Sequence, residues 1–233
     1  MKLNKQAAVA EFLGTAFLVA AVVGSGIMGQ RLSNGSIAVT LLANSLATGA
    51  MLVALILTLA PVSGAHFNPI VTLALARQNK MSGTVVVRYC GMQVLGALVG
   101  AVSANVMFQL PPIMVSHNSR TGVAQFFSEF IATFGLLSII LIGARFRESA
   151  VAYTVAAYIT AGYWFTSSTA FANPAVTIAR AFTDTFSGIR PIDVPLFIVS
   201  QIAGAIAAYR VSIWMLEDRF QKDRGVKVKK ESA

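Results

Sequence analysis

His66-Phe67-Asn68-Pro69-Ile70-Val71-Thr72-Leu73-Ala74 and Phe171-Ala172-Asn173-Pro174-Ala175-Val176-Thr177-Ile178-Ala179 carry the same Asn-Pro pair, 105 positions apart, inside apolar sequence. Proline lacks an N–H and suits the first turn of a helix, while an asparagine amide needs partners that hydrocarbon does not supply. The apolar segments that follow, 69–77 and 174–183, are too short to cross a bilayer, which takes about 20 residues. The pattern predicts two half-helices that begin midway through a membrane and aim their N-termini at a shared polar path. One such motif alone would read as a turn between helices; two in matched surroundings do not.

Hydrophobic residues make up 56% of the 233-residue chain and charged ones 12%, which excludes an ordinary soluble domain. Six stretches reach spanning length: roughly 7–29, 37–61, 84–108, 123–144, 150–168 and 193–216. The expected fold is an all-α membrane protein with six transmembrane helices and two re-entrant half-helices, residues 1–233 forming one domain. The first stretch follows Lys2 and Lys5 as a signal peptide would. It is longer than the about 7–15 apolar residues of such a segment, however, and it carries Glu11, so it is read as a span. Cys90 is alone, which leaves no disulfide within the chain and no cysteine metal site to expect; it reads as a small packed residue.

The net charge is +9, yet its placement argues against a nucleic-acid partner. With six spans both termini share one side. That side collects 14 basic residues: Lys2, Lys5, Arg77, Lys80, Arg88, Arg145, Arg147, Arg210, Arg219, Lys222, Arg224, Lys227, Lys229 and Lys230. The other side has 4: Arg31, Arg120, Arg180 and Arg190. By the positive-inside rule the termini are cytoplasmic, and the basic tail 217–233 is a solvated segment beside anionic lipid headgroups.

The halves repeat. Ala10-Glu11-Phe12-Leu13-Gly14-Thr15 matches Ser128-Glu129-Phe130-Ile131-Ala132-Thr133, and Gln93-Val94-Leu95-Gly96-Ala97 matches Gln201-Ile202-Ala203-Gly204-Ala205. With the Asn-Pro pair this makes three matches in one order, at offsets of 118, 105 and 108. Repeat 1 covers about 7–108 and repeat 2 about 123–216. Each holds three spans, so the second copy enters the membrane upside down, an inverted-topology repeat whose broken helices meet at the midplane. Gly96 and Gly100, with Gly204 and Ala208, are expected to let the third and sixth spans approach closely.

Irregular backbone at membrane depth is tolerated where protein buries it or water solvates it. The small, hydroxyl-rich stretches around Gly64, Ala65 and His66, and around Ser168 and Thr169, are expected to line the path with carbonyls. Asn68 and Asn173 cap the half-helices and keep N–H donors for the pore, with Pro69, Ile70, Pro174 and Ala175 completing the motifs. Two converging helix N-termini repel cations but not neutral solutes. Glu11 and Glu129, the acidic residues within the spans, read as acceptors that brace the re-entrant loops, or else as a proton-coupling pair. His66 is read as bracing its loop, with a proton-linked gate as the other option.

At these residues the sequence resembles the aquaporin/glycerol-facilitator family over about residues 8–216, with Ile70 where the first motif usually has Ala. The resemblance implies a pore through each protomer, a homotetramer, passive flow of water or small neutral solutes, no cofactor, no metal and no enzymatic activity. It also implies a multi-pass protein of a bacterial inner membrane.

In that family four residues outside the Asn-Pro region set selectivity. Water-selective members resemble a Phe, His, Thr, Arg set, and glycerol facilitators an aromatic pair, Gly and Arg. Counting back twenty positions from Asn68 and twelve from Asn173, and taking the two positions beside the second motif, the corresponding residues here are Thr48, Ala161, Ala170 and Val176. The chain is similar to the bacterial, arsenic-resistance-associated branch that lacks the arginine. Three small residues and one valine predict a wide constriction, suited to metalloid hydroxides such as arsenious acid and methylated arsenicals. A general glycerol, urea and water facilitator is the nearest alternative. A proton-coupled transporter on the same plan and a closed structural protein are those of other classes.

Overall fold

The computed structural model describes residues 5–79 and 81–231, with side chains as far as Glu217. Among the described residues eight α-helices follow one another: α1 Lys5–Leu32, α2 Ile37–Ser63, α3 Pro69–Asn79, α4 Gly83–Met107, α5 Val123–Phe146, α6 Val151–Phe165, α7 Pro174–Ala179 and α8 Val194–Glu231. Lys2 and Lys80 lie outside the described residues, as do the basic side chains of the tail.

Helices α1, α2, α4 and α5 and the Pro191–Glu217 stretch have the length and apolarity to cross a membrane. The fifth expected span differs. Within 150–168 only Val151–Phe165 is α-helical, 15 residues or about 22 Å. The helix stops because Thr166 turns extended and its hydroxyl closes the last turn onto the Gly162 carbonyl at 2.6 Å. The remaining residues run on as irregular chain into α7. In the first half, α2 ends on Gly64, whose φ of +90° is a left-handed conformation that only glycine adopts without strain.

The exterior is apolar, and the interior holds fully buried polar side chains within an apolar core. Glu11, Thr72, Gln93, Glu129, Thr177 and Gln201 have no accessible surface, while Phe17, Val123 and Trp214 are exposed. A soluble protein would invert that distribution; for a chain solvated by lipid tails it is the stable one.

The small-residue contacts fall within each repeat rather than between repeats. α1 packs along α4, and α5 along α8. A Cβ on Gly96 would overlap the carbonyl oxygen of Phe12, one on Gly100 that of Ala16, and one on Gly204 that of Phe130. The glycines thus seat the third span on the first and the sixth on the fourth, which corrects the expected contact between the third and sixth. Carbonyls of the neighbouring backbone occupy the space a side chain would need.

Gly96→Val is therefore expected to push α1 from α4 and cost about 2–3 kcal/mol. The check is the thermal midpoint of the detergent-solubilised protein. Gly91→Ala, inside the same helix where nothing lies near the added carbon, should not lower that midpoint and by helix propensity should raise it slightly.

Candidate functional site

The two re-entrant stretches are built alike. Gly64, Ala65 and Phe67 have φ of +90°, +51° and +49°, and Thr169, Ala170 and Ala172, each 105 positions later, have +62°, +47° and +45°. Left-handed backbone at non-glycine residues is strained and persists only where surrounding bonds fix it. Those bonds come from the two buried carboxylates. Glu11 Oε1 accepts from the Ser63 hydroxyl at 2.6 Å and the His66 N–H at 3.0 Å; Oε2 accepts from the Phe67 N–H and from Gln93 Nε2, both at 2.7 Å. Glu129 repeats the set with the Ser168 hydroxyl at 2.6 Å, the Phe171 and Ala172 N–H groups at 2.9 Å, and Gln201 Nε2 at 2.6 Å. The glutamines also donate to Thr72 and Thr177, the residues after Val71 and Val176. His66 Nδ1 lies 3.1 Å from the Thr72 hydroxyl, and its loop is held on the same network.

The Asn-Pro motifs interlock. Asn68 Oδ1 accepts from the Ile70 N–H at 3.0 Å, and Asn173 Oδ1 from Ala175 at 3.0 Å and Val176 at 3.4 Å. Each Nδ2 donates across to the other repeat, Asn68 to the Ala172 carbonyl and Asn173 to that of Phe67, both at 2.8 Å. One amide hydrogen per asparagine is spent in this way and one is left over. Pro69 and Pro174 open α3 and α7. Ile70 and Ala175 pack in the core.

A cavity of about 680 Å³ runs from Gln78, Asn79, Glu148 and Ser149 at one end, past Asn68 and Asn173, to Thr48, Tyr163, Ala170, Val176 and Arg180 at the other. Gly64, Ala65 and His66 line it, but Ser168 and Thr169 do not. In the second stretch the lining is Ala170, Phe171 and Ala172, because Ser168 turns its hydroxyl to Glu129 and its carbonyl to Arg120.

Of the four selectivity positions, Thr48, Ala170 and Val176 face the cavity. Ala161 is exposed on the outer side of α6 and takes no part in the lining, which is a correction. The cavity face of α6 is Val155, Ile159 and Tyr163, spaced by four. Residue 161 falls off that stripe, so counting positions back from Asn173 misplaces it. Tyr163 brings its hydroxyl within 3.2 Å of Thr48 Oγ1.

Arg180, counted from sequence among the basic residues on the side opposite the termini, is 2% exposed and lines the cavity one turn beyond Val176. Its guanidinium carbon sits 3.4 Å from the centre of the Phe171 ring, and Nε donates to the Ser187 carbonyl. Arg120, from the 108–122 connection, lies 4.9 Å from that ring and donates to the Gly188, Ser168 and Phe186 carbonyls. Loss of water pushes the Arg120 guanidinium down to about 10, so it stays cationic at neutral pH. The usable signal for Tyr163 and Arg180 was their i, i+4 spacing from Ile159 and Val176.

The major intrinsic protein family matches residues 1–147 and again 142–232, once for each half. The chain belongs to that family. The aquaglyceroporin AqpS of Rhizobium meliloti (strain 1021) is 52% identical over 209 residues, covering 90% of this chain and 89% of that protein. Nodulin-26 of Glycine max is 28% identical over 217 residues, covering 87% and 74%. Among solved structures, the aquaglyceroporin from Plasmodium falciparum superposes with a TM-score of 0.67 at 25% identity, over 91% of this chain and 94% of that one. The chain is thus an integral membrane channel of the aquaglyceroporin type, not an enzyme.

Glu129→Gln offers one acceptor oxygen for two and turns an NH2 toward N–H donors. It is expected to cost about 2–3 kcal/mol, the penalty of stranding buried donors. The readout is a lowered thermal midpoint together with lost solute flux; a stable variant that had lost only coupling to pH would instead mark a transporter.

Proposed function

We propose that this channel passes small uncharged hydroxylated solutes larger than water, foremost metalloid hydroxides such as arsenious acid and methylated arsenicals. The observation that carries the reading is Val176 on the cavity wall, flanked by Ala170 and Thr48. A valine there fills less space than an arginine and offers no donor, so the aperture at that level favours bulk and modest polarity. The 52% identity to a protein named an aquaglyceroporin supports solutes beyond water. In this reading residues 1–233 form one channel domain in the bacterial inner membrane, termini cytoplasmic, four copies forming the assembly. Glu11 and Glu129 each already accept four hydrogen bonds, which favours passive flow over proton coupling.

Stopped-flow measurement on proteoliposomes with water, glycerol, urea and arsenite tests it. Arsenite is expected to pass far above the lipid baseline, and uphill accumulation driven by a pH gradient would overturn the channel reading. Val176→Arg is expected to cut arsenite flux about tenfold or more while changing water flux by less than about threefold, because it narrows the constriction. Unchanged large-solute flux would remove Val176 from the filter.

A further inference from the structure

We propose that Arg180 supplies the fixed cation of this pore, acting one helical turn outward of Val176 both as hydrogen-bond donor to passing hydroxyls and as barrier to cations. The proposal rests on the passive-channel reading and assigns its specificity to a residue outside the four positions named from sequence. α7 starts at the midplane and its chain returns outward. Arg180, the residue that ends α7, follows Val176 by four positions and is therefore about 6 Å farther from the Asn-Pro motifs, on the same cavity-facing side.

Three features of Arg180 fit a working donor rather than a structural one. Its orientation is fixed: the guanidinium lies against the Phe171 ring, and Phe171 is itself packed edge-on against Phe197 at 5.2 Å. Only Nε is spent on protein, at the Ser187 carbonyl. Among the described residues, no acceptor meets Nη1 or Nη2, although the residue is 2% exposed and lines the cavity. Bare N–H groups on a buried guanidinium are costly, and the cavity is where water or a solute hydroxyl can satisfy them.

Arg120 differs in this respect. All three of its donor nitrogens are committed to loop carbonyls, so it positions the outer wall and adds a second positive charge beside Phe171. Among the described residues no carboxylate pairs with Arg180. Glu129, the buried acid of this repeat, is already taken up by Ser168, Phe171, Ala172 and Gln201. The field at this level is consequently positive. Separating donor from aperture lets Thr48, Ala170 and Val176 stay open to bulky solutes while cations are still rejected.

The test uses the full chain in proteoliposomes, with arsenite and glycerol swelling measured beside potassium and methylammonium leak. Arg180→Met keeps the packing on Phe171 and removes the charge; it is expected to raise cation leak about tenfold, the effect of lowering a barrier by about 1.4 kcal/mol. Arg180→Lys keeps the charge without the planar fork, so cation exclusion should hold while glycerol and arsenite rates shift. Cation leak and solute rates both unchanged in Arg180→Met, or a leak in Arg180→Lys equal to that in Arg180→Met, would overturn the proposal. If Arg180→Met does not fold, the Lys variant decides alone: a leak above wild type overturns the assignment, and retained exclusion with altered solute rates supports it. A wild-type protein that passed no neutral solute would defeat the channel reading itself, a result distinct from any of these.

Discussion

Polypeptide that is neither helix nor strand cannot lie at membrane depth unless its backbone polar groups find partners, and the two buried glutamates take up the N–H groups of both loops here. Each carboxylate gathers a serine hydroxyl, two consecutive backbone N–H groups and a glutamine amide. That capture fixes three left-handed residues in each loop. Carbonyl direction, the start of each half-helix and the placing of the asparagines all follow from it. A buried carboxylate with four donors is no liability, because its desolvation is offset by charge-assisted hydrogen bonds.

The same device occurs twice because the chain is a repeat, and the halves are tied to one another through the asparagines. Asn68 reaches the backbone of the second stretch and Asn173 that of the first, with identical distances. Neither half-helix has a fixed end without the other repeat. The glycine contacts work on a different scale: they close each repeat internally by letting α4 rest on α1 and α8 on α5, backbone to backbone. Function is layered on that symmetric frame where the repeats differ. Phe171 stands where the first repeat has His66, and Arg180 where it has the apolar Leu75, which also lines the cavity. The Val176 end of the cavity is thereby made cationic and aromatic, while the other end is lined by Gln78, Asn79, Glu148 and Ser149.

Much of this was legible in the residues. The Asn-Pro motifs, the three matched segments and the apolar lengths determine six crossings, two half-helices and an inverted repeat, because hydrocarbon allows few other solutions for such a pattern. The roles of Glu11 and Glu129 could be read from their equivalence. What required the tertiary structure is which side chains meet in the wall. Ala161 was reached by counting along the chain, but a helix turns about 100° per residue, so a position two residues from the true stripe at Ile159 and Tyr163 points to the outside. The glycines likewise chose partners within their repeat, a matter of helix packing that local sequence does not encode. Arg180 is the fullest case. The charge count placed it only on the side away from the termini; Phe171 and the 183–190 segment fold over it, so only the assembled chain shows a guanidinium on the cavity wall, one turn from Val176.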